Sequence, residues 1–303
     1  MQSENQPMGI ITSIKRFMLE DGPGIRTVVF FGGCPLRCTW CSSPQTWMTN
    51  PVIMYSKRKC VLCGRCSQAC RFDAILQDPE KRVNRELCRA CGACVDSCPP
   101  KALRWSNRPM RVDEVMQEIE RDADFYETSG GGVTLSGGEA TVQPEFACAL
   151  LQECKLRGIH TAVESCGHIR WENMEQIIQF ADLLKIDIKN MDEAAHKAIT
   201  GVSNQLILKN IERAAATQQC EIVINVPLVP DFNDSPENLT ATAAFMVQNK
   251  LRTVHLLPFH KLGLLEYEEL NMPCPSKDFP TPTVEALAMA KQIFLDHSID
   301  VIH

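Results

Sequence analysis

The chain has 303 residues, 45% of them hydrophobic and 22% charged, with a net charge of −6, so it can bury a full core as one large domain or two smaller ones, and disordered, collagen-like and coiled-coil classes are excluded. Its longest apolar runs, residues 28–31 and 222–229, fall far short of the roughly 20 residues of a membrane span. The polar start, residues 1–7 with Glu4, has neither the basic beginning nor the apolar stretch of a secretory signal, and a cytoplasmic protein without membrane association is expected.

In chain order, residues 26–31 read as a first strand, and residues 51–108 as a cysteine-punctuated stretch with almost no helical period. From Met110 onward, helical and extended segments alternate. Helices are predicted over 112–126, 144–157, 171–180, 192–199, 205–217, 236–249 and 283–297, and short apolar strands over 132–135, 160–163, 183–188, 221–227 and 253–258, with 299–302 closing the chain. Ser235 is placed as an N-cap, with Pro236 at the first helical position and Glu237 in the first turn. Such alternation implies βα units and a parallel sheet. Residues 51–108 then form an insertion between 1–50 and 109–303.

Eleven of the sixteen cysteines lie between Cys34 and Cys98. Crowding of this kind, in a long chain without an export signal, favours metal or iron-sulfur ligation over disulfides. The insertion holds one internal repeat: Cys60, Cys63, Cys66, Cys70 and, twenty-eight residues on, Cys88, Cys91, Cys94, Cys98 followed by Pro99. Both copies show the C-x2-C-x2-C-x3-C run of bacterial ferredoxins, in which the fourth cysteine reaches across to the other cluster. One set is therefore Cys60, Cys63, Cys66 and Cys98, and the other Cys88, Cys91, Cys94 and Cys70; Arg71 stands where the first copy would have proline. Paired tetrahedral zinc sites are the alternative, though these more often use separated C-x2-C pairs. The insertion carries twelve Lys and Arg against five Asp and Glu, leaving −13 elsewhere. Two anionic clusters compensate much of that +7, so a mildly positive docking face is favoured over nucleic-acid binding.

A third constellation, Cys34, Cys38 and Cys41, offers only three thiolates, directly after the first strand. A cluster so held leaves one iron open to a substrate, as catalytic metal sites do. This C-x3-C-x2-C with Trp40 before its last cysteine resembles the radical S-adenosylmethionine (SAM) enzymes. Asp21-Gly-Pro-Gly-Ile-Arg26-Thr, Ser136-Gly-Gly-Glu139, the double ferredoxin-like insertion and Leu257-Pro-Phe-His260 extend the likeness, over nearly the whole chain, to the glycyl-radical enzyme activating enzymes.

The resemblance implies a partial (βα)6 TIM-like barrel of six strands, with functional residues at the strand ends, and an inserted two-cluster ferredoxin-like domain. It implies three 4Fe-4S clusters and SAM. Gly137, Gly138 and Glu139 would hold the methionine amino group; absent side chains let a ligand lie against the backbone there. Lys189 would pair with the methionine carboxylate. Glu164, Ser165 and Asp187, with the carbonyl of Lys185, resemble a monovalent-cation site beside SAM, an ordinary strand-end salt bridge being the alternative for Glu164. Ile188 joins this cofactor-binding set, and His260, Trp40 and Ser42 would meet the nucleoside. Ala140 replaces a usual proline, Ser42-Ser43-Pro44-Gln45 an Asn-Pro-Glu sequence, Asn225 an arginine and Asp231 a frequent glycine. Cys148, Cys154, Cys166, Cys220 and Cys274 share no spacing and are read as core or surface residues.

The implied reaction is one-electron cleavage of SAM to a 5′-deoxyadenosyl radical, which takes a hydrogen atom from a glycine of a partner enzyme of the dehydratase or lyase type. Flavodoxin or ferredoxin would donate the electron, the inserted clusters either relaying it or tuning docking, and the protein would act as a monomer. A different radical SAM enzyme, such as a peptide-modifying one, and an iron-sulfur electron carrier are the rival readings. The first more often carries its auxiliary cysteines after the barrel, and the second has no use for Ser136 to Glu139, Lys189 and His260.

Overall fold

The computed structural model describes residues 7–302. Residues 1–6, which include Glu4 of the polar start, and His303 lie outside the described residues. Strands β1 (Met8–Met18) and β2 (Arg26–Phe31) pair antiparallel. Two short strands, β3 (Ile53–Tyr55) and β4 (Leu103–Trp105), form a separate antiparallel pair that brings the two ends of the cysteine-rich segment together. The chain then returns through β5 (Arg108–Arg111) to the free edge of β1.

The rest of the chain supplies β6 (Gly132–Gly137), β7 (His160–Ser165), β8 (Leu183–Asp187), β9 (Glu221–Leu228), β10 (Thr253–Pro258) and β11 (Asp300–Ile302). The main sheet is β11-β10-β9-β8-β7-β6-β2-β1-β5, with β2 and β6 to β11 parallel. Among the described residues the six strands β2 and β6 to β10 stand side by side in chain order, but the sheet has nine strands rather than six. β11 extends it, and β1 and β5 were not foreseen. β1 is an antiparallel strand with little full burial, only Gly9 and Ile11 being buried. Such a strand carries polar residues on its wet face and lacks the continuous apolar run of a parallel strand.

The helices follow from apolar spacing. Val112–Ile119 buries Val112, Val115, Met116 and Ile119 on one stripe against the sheet. Ser235 caps Pro236–Gln248 as expected, accepting from the backbone N–H of Asn238 at 3.2 Å. The single helix expected over 112–126 is instead broken by a tighter turn at Glu120–Asp122. Asp122 is the cause: it is fully buried and accepts from Arg16 of β1 and, at 2.7 Å, from Thr27 Oγ1 of β2. Helix Leu264–Leu270, also unforeseen, faces β3 and presents Glu266 and Glu269 to Arg104, at 3.0 and 2.8 Å. Arg85 adds a 3.0 Å hydrogen bond to the Leu270 carbonyl.

Among the described residues four apolar clusters result, the smallest being Ala162, Leu183 and Val223. The large one lies between the sheet and its helices. A second packs Leu36, Trp40, Ile199, Val229 and Phe259 around the Cys34 loop. A third, built on Ile53, Tyr55, Ile75, Val83 and Leu103, contains or touches Cys60, Cys66, Cys70, Cys88, Cys94 and Cys98. Among the described residues no helix is long and apolar enough to cross a membrane.

Replacing Asp122 by alanine strands Arg16 and Thr27 and is expected to cost about 2–3 kcal/mol. Arg121→Ala, which breaks only an exposed pair with Glu118, is expected to cost under about 0.5 kcal/mol. Melting temperatures of the two variants, compared with the native chain, check the contrast.

Candidate active site

The ends of the parallel strands surround a cleft of about 580 Å³, within the usual range for a small-molecule site. Cys34, Cys38 and Cys41 line it, together with Trp40, Ser42, Ser136, Gly137, Gly138, Glu164, Ser165, Asp187, Lys189 and His260. The cysteine loop is held by main-chain bonds to the end of helix Glu193–Thr200: Arg37 N–H donates to the Thr200 carbonyl at 2.8 Å and Thr39 N–H to that of Ile199 at 3.0 Å. The Arg37 guanidinium donates back to the Cys34 and Leu36 carbonyls, both at 2.7 Å. Burial pushes the Cys38 thiol up to about 11 and that of Cys41 up to about 12. Such groups lose their protons readily only when a metal replaces them.

The glycines at the end of β6 line the cleft and also let two backbones meet. Gly137 has φ +105, and a Cβ on it or on Gly138 would collide with the backbone of Phe31 or Gly33. Their missing side chains let β6 close on the cysteine loop, with Gly138 N–H donating to the Phe31 carbonyl at 2.9 Å and Glu139 N–H to that of Gly33 at 2.8 Å. Glu139 is fully buried. Its oxygens accept from Thr141 N–H at 3.1 Å, Thr141 Oγ1 at 2.5 Å, Ser165 Oγ at 3.0 Å and Cys166 N–H at 2.7 Å. Four donors fill a carboxylate's lone-pair sites, so here Glu139 is a brace behind the cleft wall.

Two lysines neutralise the strand-end carboxylates. Lys185 Nζ meets Glu164 at 2.8 Å, and Ser136 Oγ donates to the other oxygen of Glu164 at 2.6 Å. Lys189 Nζ lies 2.7 Å from Asp187. Burial works against the Lys189 ammonium, but Asp187 and Cys38 outweigh it and its pKa is raised. The carboxylates expected to gather round a monovalent cation are thus already paired with the chain's own cations. Ile188 belongs to the main core, and its N–H donates to the Asn225 carbonyl at 2.9 Å.

Sequence reasoning missed three features of this cleft. Cys166, read as a scattered core or surface cysteine, is buried on the cleft wall beside Cys34; its place directly after Glu164-Ser165 at a strand end was the available signal. Asp21, quoted only within a motif, also lines the cleft, where burial and then Glu164 push its carboxyl up to about 6. Asn225 is buried in the wall with its Oδ1 unpartnered, an acceptor that a bound group would satisfy. Asp231 has φ +67, which explains why glycine is frequent at that position, and Asp is among the residues that tolerate it.

The insertion's cysteines fall into two cavities. Cys60, Cys63, Cys66 and Cys98 line one; Cys70, Cys88, Cys91 and Cys94 line the other. Buried Arg82 lies 3.9 Å from Cys66 Sγ, and its Nε has no partner. A buried, partly unsatisfied cation is costly unless negative charge lies beside it, which suits an anionic cluster in that cavity. Among the described residues no three His, Cys, Asp or Glu side chains converge on one ion-sized point. The thiols ring open spaces instead.

A family model described as the radical SAM superfamily matches residues 28–243. The chain belongs to the radical SAM superfamily, among the glycyl-radical enzyme activating enzymes. It is 38% identical over 304 residues to the isethionate sulfite-lyase activating enzyme of Oleidesulfovibrio alaskensis, covering 98% of each chain. It is 40% identical over 281 residues to the (2S)-3-sulfopropanediol dehydratase activating enzyme of Klebsiella oxytoca, covering 90% of this chain and 88% of that one. With the 4-hydroxyphenylacetate decarboxylase activating enzyme of Clostridioides difficile it shares 38% over 307 residues, covering 99% and 97%. In fold it is similar to a radical SAM methyltransferase from Sphaerobacter thermophilus, with a TM-score of 0.56 at 13% identity over 96% of this chain and 76% of that one.

The shift of Asp21 sets a pH dependence. Its carboxyl titrates at 3.8 in the unfolded chain and at about 6 in the fold. The resulting stability is complete below the lower value and is lost as pH rises through the upper one, up to about 3 kcal/mol in all. Asp21→Asn is therefore expected to raise the melting temperature at about pH 7.5, with a smaller gain at about pH 5; equal gains at both would contradict the assignment.

Proposed function

We propose that Cys34, Cys38 and Cys41 hold a 4Fe-4S cluster whose fourth iron takes SAM, and that the cleft beside them admits a glycine-bearing loop of a partner enzyme. When bound and reduced, such a cluster would supply one electron to the SAM sulfonium, breaking its C–S bond to give methionine and a 5′-deoxyadenosyl radical that would take a hydrogen atom from the α-carbon of the partner's glycine. The observation that carries this reading is that three thiols of one loop open onto the same cleft as Lys189 and the strand-end backbone at Gly137 and Gly138.

The chain's own groups bind and shield. Lys189, held by Asp187, is the cation for the methionine carboxylate. The backbone of Ser136 to Gly138 faces the amino group, with Glu139 braced behind it and the Asn225 Oδ1 acceptor in the same wall. Trp40, Ser42 and His260 bound the nucleoside side. Leu36, Val229 and Leu257 line the cleft with apolar surface that excludes water from a reactive radical. In this reading Lys185 supplies the positive charge beside Glu164, the role expected of a monovalent cation.

The insertion, residues 51–108, carries two further clusters on the crossed cysteine sets, fed by flavodoxin or ferredoxin. The partner is a glycyl-radical lyase, dehydratase or decarboxylase. The names of the relatives support that class.

Anaerobic incubation with SAM and dithionite is expected to release 5′-deoxyadenosine and, with the right partner present, to raise a glycyl radical signal. Cys38→Ala should abolish both. Iron-loaded protein that releases no 5′-deoxyadenosine would refute the reading. The crossed sets make a second prediction: Cys63→Ala and Cys98→Ala should each remove the same one cluster, and the double variant no more. Loss of a second cluster's iron in the double variant would show that each run keeps its own.

A further inference from the structure

The two cysteine runs are copies of one loop whose tips carry different side chains. Positions 60–65 read Cys-Val-Leu-Cys-Gly-Arg, and 88–93 read Cys-Arg-Ala-Cys-Gly-Ala. The backbones correspond: Leu62 and Ala90 have φ +54 and +47, Gly64 and Gly92 have φ +76 and +83, and Cys63 and Cys91 are both exposed. At the second tip the chain itself covers Gly92, where an added Cβ would lie 2.6 Å from the Trp105 ring. Nothing comes within 4 Å of the same point on Gly64.

The uncovered tip is apolar at its centre. Val61 is 68% exposed and Leu62 59%. Around them stand Lys57, Arg58, Lys59 and Arg65, all exposed. Lys57 is paired with Glu80; among the described residues Arg58, Lys59 and Arg65 have no carboxylate in salt-bridge reach. The second tip has Leu87 and Ala93 where the first has Lys59 and Arg65.

An apolar centre within a cationic rim fits an acidic protein that is steered in by charge and seated on the apolar pair. Nucleic acid also seeks cationic surfaces, but two aliphatic side chains at the centre offer nothing to phosphates or to base stacking. We propose that residues 57–65 are the docking surface for an acidic one-electron carrier, which delivers its electron to the cluster behind Cys63. The proposal rests on reading Cys60, Cys63, Cys66 and Cys98 as cluster ligands. The carrier is oxidised by one electron and the cluster reduced by one; no bond or proton is exchanged.

The test follows anaerobic reduction of the full-length, iron-loaded protein by a reduced acidic flavodoxin, with dithionite as the small reductant. Charge reversal (Arg58→Glu, Lys59→Glu and Arg65→Glu together) should slow reduction by flavodoxin about tenfold at low salt, with the difference fading as salt is raised. The uncharged change, Val61→Ser with Leu62→Ser, should slow it about threefold at every salt concentration. Arg89→Glu on the second tip should stay within about twofold, and reduction by dithionite should be unchanged throughout. Iron content is measured first, and the serine pair decides the matter should charge reversal lower it. Full iron with an unaltered flavodoxin rate, an equal loss from Arg89→Glu, or duplex DNA outcompeting flavodoxin at this surface would overturn the docking site. A native chain holding iron for one cluster only would overturn the reading of the insertion instead.

Discussion

Glu139 is the group on which the site's geometry depends. A buried carboxylate is tolerable only when its hydrogen bonds are complete, and those bonds come from Thr141, Ser165 and Cys166, while its own N–H reaches Gly33. The segments after β2, β6 and β7 are thereby locked to one another. Cys34 follows Gly33 directly, Gly137 and Gly138 precede the brace, and Ser165 and Cys166 donate to it. Three thiols on a loop of few regular bonds thus acquire the rigidity that a functional constellation needs.

The charges around the cleft follow a similar logic. Lys185 with Glu164 and Lys189 with Asp187 are ion pairs with little solvent, and such pairs contribute little net stability because desolvation offsets their attraction. What they contribute is orientation. Each lysine is held at a strand end with its ammonium directed by one carboxylate, so a bound anion meets a cation that needs no reorganisation. Asp21 is left among these groups without a cation of its own in hydrogen-bond contact, and its raised pKa records that.

The inserted segment has a different foundation. Its core contains few aliphatic side chains and is interleaved with cysteines, which is thin for an independent unit. Two clusters would supply cross-links that apolar contacts do not. Arg104 with Glu266 and Glu269, and Arg85 with the Leu270 carbonyl, fasten the segment to helix Leu264–Leu270. A bolted module can present one loop to a partner without losing its place beside the cleft.

The motifs were legible in the chain because their meaning is local. Cysteine spacing such as Cys34-x3-Cys38-x2-Cys41 is a property of one short loop, and parallel strands buried on both faces announce themselves as apolar runs. The six central strands, the capped helix at Pro236 and the grouping of the insertion's cysteines all belong to this class. What folding alone settled was long-range. β1 and β5 were invisible because half-wet antiparallel strands lack a continuous apolar signal, and the break at Glu120–Asp122 depends on Arg16 and Thr27, about a hundred residues away. Glu139 turned inward because four donors from the segments that end β6 and β7 meet there, and Cys166 came beside Cys34 because β7 ends beside the cysteine loop. Such meetings are set by packing in three dimensions, and no spacing along the chain encodes them.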